Sequence, residues 1–541
     1  MAQDTDSLDV FFAPRSIAVV GASEQPGSVG YAVLKNLRYS RMDGDDRDEG
    51  FDGPVYAVNP HGGEILGKAV YRDVASIGEP VDLLVVAIPP ASIPGVLDEA
   101  GAAGVKGAIV ISAGFGEMGE EGRALQDQVA ETAARHGIRV VGPNCLGVIR
   151  PPRLNASFAT QTPPAGAVGL LSQSGALVTG IISQTVQEKF GLSAAVSLGA
   201  KADVDDDDML RWLAKDDATR AIALYVEAFK EPRSFFEVAR EVSREKPVVA
   251  IKGGLTAAGA KAASSHTGSL AGSGAAYQAA FAQCGVLQAP ASSEFMGWAH
   301  TLACQPPAPG PRIAILTNAG GPGVLAADYG VRLGLEMAEL SQETRGALDR
   351  VLPAVWSRNN PIDVIGDATP ERFRQALDIL GRADEVDGIV VLLTVQAMTD
   401  PLQTSKAIIE AHDNPEWRKP LLCSFFGLMG SEAGSYLDEH GVPEFNTPER
   451  AMSAMDALRR RGRWLARSEP PAPSGLPHPA PDHDRARRAI ADARRQASAT
   501  STWTAPGRCW KRRACATIGR APPKTKRAQF ESPRTSATRW W

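Results

Sequence analysis

Short runs of β-branched and aliphatic residues recur along this chain, each closing on small residues and each followed by a segment long enough for a helix. The first is Ile17 to Val20, which ends in Gly21-Ala22-Ser23 and leads through Pro26-Gly27-Ser28-Val29-Gly30 into the helical pattern Tyr31 to Leu37. Others stand at Val55 to Asn59, Leu83 to Ile88, Gly107 to Ser112 and Arg139 to Val141. Such alternation specifies a doubly wound, mainly parallel α/β sheet, and ligands of these sheets collect beyond the C-terminal strand ends. Those ends read Gly21-Ala22-Ser23, Asn59-Pro60, Ile88-Pro89-Pro90, Ser112-Ala113-Gly114 and Gly142-Pro143-Asn144-Cys145-Leu146-Gly147. The turn at Gly21, Gly27 and Gly30 departs from strict G-x-G-x-x-G, which weakens a dinucleotide assignment while keeping a phosphate cradle. A nicotinamide oxidoreductase is disfavoured further, because Asn59-Pro60-His61 stands where an acidic residue would hold a ribose.

The same grammar continues. Val168 to Ser172 reads as a strand, followed by Gln173-Ser174-Gly175 with Ser174 near a helix cap. Ala221 to Val226 reads as a buried strand that delivers Glu227 at its C-terminal end. The run Ala263 to Gly272 holds His266 in a loop of Gly, Ala, Ser and Thr, between the strand-like Pro247 to Lys252 and the helix-like Gly274 to Cys284. Small residues and a following helix N-terminus let backbone and imidazole approach an anion. Past the Pro-rich linker 306–311, Arg312 to Thr317 opens onto Asn318-Ala319-Gly320-Gly321-Pro322-Gly323, a second anion-facing helix start. Asp363 is left open between a site residue and a turn-forming Asx. The four aspartates 205–208 read as a capped, solvated helix start rather than a metal site.

Composition removes several classes of function. At 541 residues the chain needs three or four domains. No apolar run approaches the roughly 20 residues that span a bilayer, and the acidic N-terminus lacks a secretory signal. Six scattered cysteines form neither a metal pair nor a disulfide framework, so a reducing cytoplasm and no metal site are expected. No nucleic-acid or membrane partner is expected. Between Arg485 and Trp541 there are fifteen Lys and Arg against two acids, so an acidic body precedes a basic tail.

Gly142 to Gly147, the Gly21 to Gly30 turn and Ser265-His266-Thr267-Gly268 together resemble the CoA-binding and phosphohistidine elements of NDP-forming acyl-CoA synthetases. These are relatives of succinyl-CoA synthetase that include ADP-forming acetate–CoA ligases. The resemblance runs from about Leu8 to about Arg467. It implies a Rossmann-like CoA-binding domain at 1–150, a ligase domain with the phosphohistidine loop at 151–305 and a second flavodoxin-like ligase domain at 306–467. CoA is expected near Gly21, Ala22, Ser23, Gly27, Ser28, Gly30, Asn59, Pro89, Ser112, Gly114, Asn144 and Cys145. His266 is the implied nucleophile and Glu227 its orienting carboxylate, with Ser174, Gly175, Asn318, Gly320, Gly321 and Gly323 around the phosphoryl oxygens. Two positions depart from the family's usual residues: Ala200 for Asn and Ala228 for Gly.

The resemblance stops after Arg467. Residues 468–541 read as a Pro-rich linker and a disordered basic tail or a translated frameshift, the frameshift being the preferred explanation. The implied reaction interconverts acyl-CoA, phosphate and NDP with carboxylate, CoA and NTP, in an oligomer with a separate ATP-grasp β-type subunit that holds nucleotide and Mg²⁺. The alternatives are a non-catalytic CoA-binding or sensing protein, or an inactive truncated copy.

Overall fold

The computed structural model describes residues 5–39, 50–256, 258–259, 274–428 and 431–467. His266 and the segment 468–541 therefore lie outside the described residues.

Three mainly parallel sheets follow one another along the chain. In the first, Ile17–Val20 lies between Val55–Val58 and Leu83–Val86, with Gly107–Val110 and Arg139–Val141 continuing on the second side. In the second, Ala165–Ser172 lies between Ala221–Val226 and Leu192–Ser197, and Val248–Lys252 follows Ala221–Val226. In the third, Arg312–Thr317 pairs with Gly388–Thr394 and Glu336–Met337, and Ile362–Asp363 joins it at Leu316 and Thr317. Each sheet thus has a strand from which the chain proceeds to both sides, the switch point at which such sheets bind ligands. The three switch strands end at Gly21, at Gln173-Ser174 and at Asn318, the turns singled out by their composition.

The hydrophobic cores join these sheets. In Ile17–Val20, Ile17 and Val19 enter one core while Ala18 and Val20 enter another, as the two-residue period of a strand requires. The first of these cores continues without a break through Leu171, Val196, Ile222 and Leu224 of the second sheet. A further core takes the opposite face of that sheet, Leu170 and Ala223, and runs through the helices Ser292–Cys304 and Pro448–Leu465 to Ile313 and Ile315 of the third. Polar ties reinforce the first junction. Arg139 Nε donates to Asp203 at 2.8 Å, and Asn36 Nδ2 donates to the carbonyls of Ser157 and Ala159 at 2.8 and 2.7 Å.

Two expectations are modified. The hairpin Gly147–Arg150 and Leu154–Ser157 pairs antiparallel onto Leu192–Ser197, so the second sheet begins before residue 150. The aspartate run does cap its helix, with Asp205 and Asp208 forming a reciprocal capping box, but it is not solvated. Asp206 and Asp208 are 1% and 4% exposed. Asp206 meets the nearby Lys201, and Asp208 meets Arg139 of the first sheet, so basic partners replace water. Among the described residues no group of His, Cys, Asp and Glu has a metal-binding arrangement, and no helix is long and apolar enough to cross a membrane.

The first glycine turn is fixed by close approach. A Cβ on Gly30 would lie 2.0 Å from Gly21 O, and one on Gly21, at φ 91°, would lie 2.2 Å from Ala87 O. Gly27 has open space around it at φ 86°. Gly30→Ala is therefore expected to destabilise by about 1–3 kcal/mol or more through overpacking, and Gly27→Ala by about 1–2 kcal/mol of backbone strain alone. Thermal unfolding of the two variants checks the order; Gly27→Ala as the more damaging change would contradict it.

Candidate functional site

A cleft of about 1080 Å³ opens where the first two sheets face each other. Of the residues implicated by sequence, Ser112, Asn144, Cys145, Ser174, Gly175 and Glu227 line it. Ser112 Oγ donates to Ile88 O at 2.6 Å and accepts from Ile88 N at 3.1 Å, clamping two strand ends together. Asn144 takes φ 56° and its N–H donates to Ser112 O at 2.9 Å, which turns its side chain outward. Cys145 Sγ donates to Val110 O at 3.3 Å, and burial pushes the thiol up to about 12. It is a wall, not a nucleophile.

Gly21, Ala22, Ser23, Gly27, Ser28, Gly30, Asn59, Pro89 and Gly114 are not among the lining residues. Several of them build the turn behind the cleft. Asn59 Nδ2 donates to Ala22 O at 2.9 Å, Ser23 Oγ accepts from Gln25 N, and Ser28 Oγ accepts from Tyr31 N at 3.2 Å. Val29, between Ser28 and Gly30, is the residue of this turn that reaches the cleft.

On the opposite wall, Ser174 caps the helix Gly175–Glu188 by accepting from Leu177 N at 3.3 Å. That helix turns its unpaired N-terminal N–H groups and positive dipole end toward the cleft, a favourable place for an anion. Gln173 organises the surroundings. Its Nε2 donates to both Asp206 oxygens, at 3.0 and 3.1 Å, and to Ala228 O at 2.9 Å. Its Oε1 accepts from Glu227 N at 2.9 Å and Ala228 N at 3.1 Å. Glu227, 8% exposed, is held by its own backbone, and Tyr225 Oη donates to its Oε1 at 3.3 Å.

Lys201 closes this polar floor. In the left-handed region at φ 55°, it places Nζ 2.5 Å from Asp206 Oδ2 and 2.9 Å from Ala228 O. Burial works against its charge, yet the Asp206 and Asp205 carboxylates prevail and hold the ammonium above its ordinary range. Burial raises Asp206 as well. With Lys201 and the Gln173 amide both directed at its oxygens, the ion pair is the arrangement favoured here. Neither Gln173 nor Lys201 was assigned a role by sequence. The signals were a glutamine between a strand and a capping serine, and a lysine four and five residues before two aspartates.

The His266 segment itself is not described, but its flanks are. Gly253 N donates to Val226 O at 2.9 Å, so the chain entering the loop runs beside Glu227. A Cβ on Gly274 would lie 2.5 Å from Leu255 O, so the two flanks meet again at the loop's neck. At the third switch point Asn318 has a structural task. Its amide donates to Thr394 O and accepts from Thr394 N, both at 2.9 Å, pinning neighbouring strands. What the helix Gly320–Leu333 offers an anion is therefore backbone N–H at Gly320 and Gly321. Asn318, Gly320, Gly321 and Gly323 do not line the cleft. Asp363 Oδ1 accepts from Ile365 N at 2.8 Å, an Asx turn.

Because Gln173 satisfies two backbone N–H groups and a buried carboxylate at once, Gln173→Ala is expected to cost about 1–3 kcal/mol. Gln173→Glu should cost more, since it sets a second carboxylate against Asp206. Equal melting temperatures for wild type and both variants would refute this account of the floor.

Comparison with known proteins follows the same three-part division. A CoA binding domain matches residues 15–151, a succinyl-CoA ligase like flavodoxin domain matches 165–302, and a Ligase-CoA domain matches 313–469. Fold and site thus define a ligase that handles CoA thioesters. The chain is 41% identical over 467 residues to the ADP-forming acetate–CoA ligase I subunit alpha of Pyrococcus furiosus, covering 85% of this chain and 99% of that one. It is 41% identical to the ADP-forming acetate–CoA ligase I of Archaeoglobus fulgidus, of which it spans 64%. A solved dinucleotide forming acetyl-coenzyme A synthetase 1 from Ca. Korarchaeum cryptofilum, in complex with phosphate and ADP, superposes with a TM-score of 0.78 at 37% identity, covering 85% of this chain and 97% of that one. The chain belongs to the family of ADP-forming acetate–CoA ligases, on the side of their alpha subunits, and is an acyl-CoA synthetase of the NDP-forming kind.

Proposed function

We propose that this chain carries the acyl-CoA and phosphohistidine half of a reversible ligase, and that the cleft seats CoA with its thioester toward Ser174 and Glu227. The supporting observation is the fixed position of Glu227: its backbone is held by Gln173, at the lip of the cleft, beside the chain that enters the His266 loop. Phosphate attacks the thioester carbonyl, the C–S bond breaks, and CoA leaves with a proton. The acyl phosphate then passes its phosphoryl group to a His266 ring nitrogen and carboxylate departs. The helix N-terminus at Gly175 offers N–H donors to the phosphoryl oxygens, and Glu227 orients the imidazole and stabilises its cationic phosphorylated form.

The last step, from phosphohistidine to NDP, is assigned to a separate ATP-grasp subunit that holds nucleotide and Mg²⁺. Two comparisons support this division: nearly the whole of a protein named as a subunit alpha is covered, against 64% of a ligase whose name gives no subunit. Those chains act on acetate; the acyl group here is left as a small carboxylate. The cytoplasm is the proposed compartment, supported by four described cysteines, all of them free.

Incubation with acyl-CoA and radiolabelled phosphate should place an acid-labile label on His266. Glu227→Gln should slow labelling about 10- to 100-fold, the range seen when the carboxylate behind a metal-bound histidine is removed. Label persisting in His266→Ala would overturn the assignment.

CoA binding is best tested at Val29, since the Gly30 position cannot take a side chain without disturbing the fold. Val29→Glu brings a carboxylate to the cleft and should weaken CoA about tenfold or more in calorimetry, like charges being costly at close range. Unchanged affinity in that variant would remove CoA from this cleft.

A further inference from the structure

A second cluster of reactive side chains lies away from the cleft, where the helix Ser292–Cys304 of the second domain meets the helix Glu432–Glu439 of the third. His300 Nε2 lies 3.2 Å from Asp438 Oδ1, and its Nδ1 lies 3.7 Å from Cys304 Sγ. Asp438 Oδ1 also accepts from Glu444 N at 3.0 Å, so the carboxylate is fixed from both sides. The imidazole stacks on Phe190, ring centroids 4.9 Å apart and 22° from parallel, which sets its plane. With Nε2 against Asp438, the ring turns Nδ1 to the thiol.

We propose that Cys304 is a nucleophilic thiol, activated by His300 and oriented through it by Asp438, and that it takes up low-molecular-weight disulfides as a modification site. Nδ1 of His300 removes the thiol proton, and Sγ attacks one sulfur of the disulfide. The new S–S bond joins Cys304 to that sulfur while the original S–S bond breaks. The departing thiolate takes the proton from His300, so Cys304 is oxidised and half of the small disulfide is reduced.

The other described cysteines provide the contrast. Cys145, Cys284 and Cys423 are buried, and burial raises the first two thiols to about 12 and about 11 and the third well above its usual value. Cys304 alone among them is partly exposed and beside a base. Burial by itself would lower the His300 imidazole, but the Cys304 sulfur and Asp438 outweigh it and raise it to about 10. The other acid facing Asp438, Glu444, is pushed up to about 8 by burial and is mostly protonated at neutral pH, so it adds little charge against a thiolate. Arg450 and Glu188 pair with each other on the far side of a small cavity next to Asp438. The adjacent Gln305 ties the joint, accepting from Leu421 N at 2.8 Å and donating to Gly441 O at 2.5 Å. An adduct on Cys304 would thus lie where the two domains are stapled.

The test treats the full chain with oxidised glutathione across a range of pH, in a Cys509→Ser, Cys515→Ser background, and follows adduct formation by peptide mass spectrometry. The expected result is one adduct at Cys304, formed at neutral pH faster than at any other described cysteine. In His300→Gln the rate at neutral pH should fall about tenfold or more. The wild-type adduct map decides the matter even if that variant does not fold. An undiminished rate in folded His300→Gln, or no adduct at Cys304 in the native chain, would overturn the proposal.

Discussion

The carboxamide of Gln173 is the interaction on which the site's geometry rests. Its oxygen faces the N–H groups of Glu227 and Ala228, and its nitrogen faces the Asp206 carboxylate and Ala228 O. Only one orientation of the amide satisfies these partners, since the carbonyl can only accept and the NH₂ can only donate. One side chain therefore locks the ends of two parallel strands to each other and to the first turn of Asp206–Lys215. Ser174, the next residue, caps the helix that offers its N-terminus to the cleft. With the strand ends free to move, neither that N-terminus nor Glu227 would have a fixed place.

Shared cores make this precision possible across domains. The face of the first sheet that carries Ile17 and Val19 packs into the same core as Leu171 and Leu224, so the two walls of the cleft stand on one hydrophobic foundation. Gln126 Nε2 adds a bond across them to Ala200 O at 3.2 Å. Ala200 takes part through its backbone carbonyl, and nothing in the structure explains the departure from Asn there.

Much of this was legible in the sequence, and the boundary has a physical cause. Parallel strands with helical crossovers announce themselves by local pattern, so the three switch-point turns, the Ser174 cap and the Glu227 strand end could be read directly. Partnerships between distant residues could not. Nothing local distinguishes a solvated aspartate from Asp208, whose buried carboxylate meets Arg139, remote in sequence. Asn318 stands out locally because it opens a glycine-rich turn, but the hold of Thr394, remote in sequence, on both ends of its amide does not. Glycines posed the same difficulty: Gly21 and Gly30 fit a phosphate cradle, but backbone contact between strand and helix accounts for them without any ligand.

The central claim is that the thioester chemistry takes place between the first two switch points, at Ser174 and Glu227. A crystal structure of the full chain with CoA bound tests it directly. The CoA sulfur is expected in the cleft, between Cys145 and the N-terminus of Gly175–Glu188, with Glu227 nearby. A sulfur found instead outside that cleft, for example at the start of Gly320–Leu333, would contradict it.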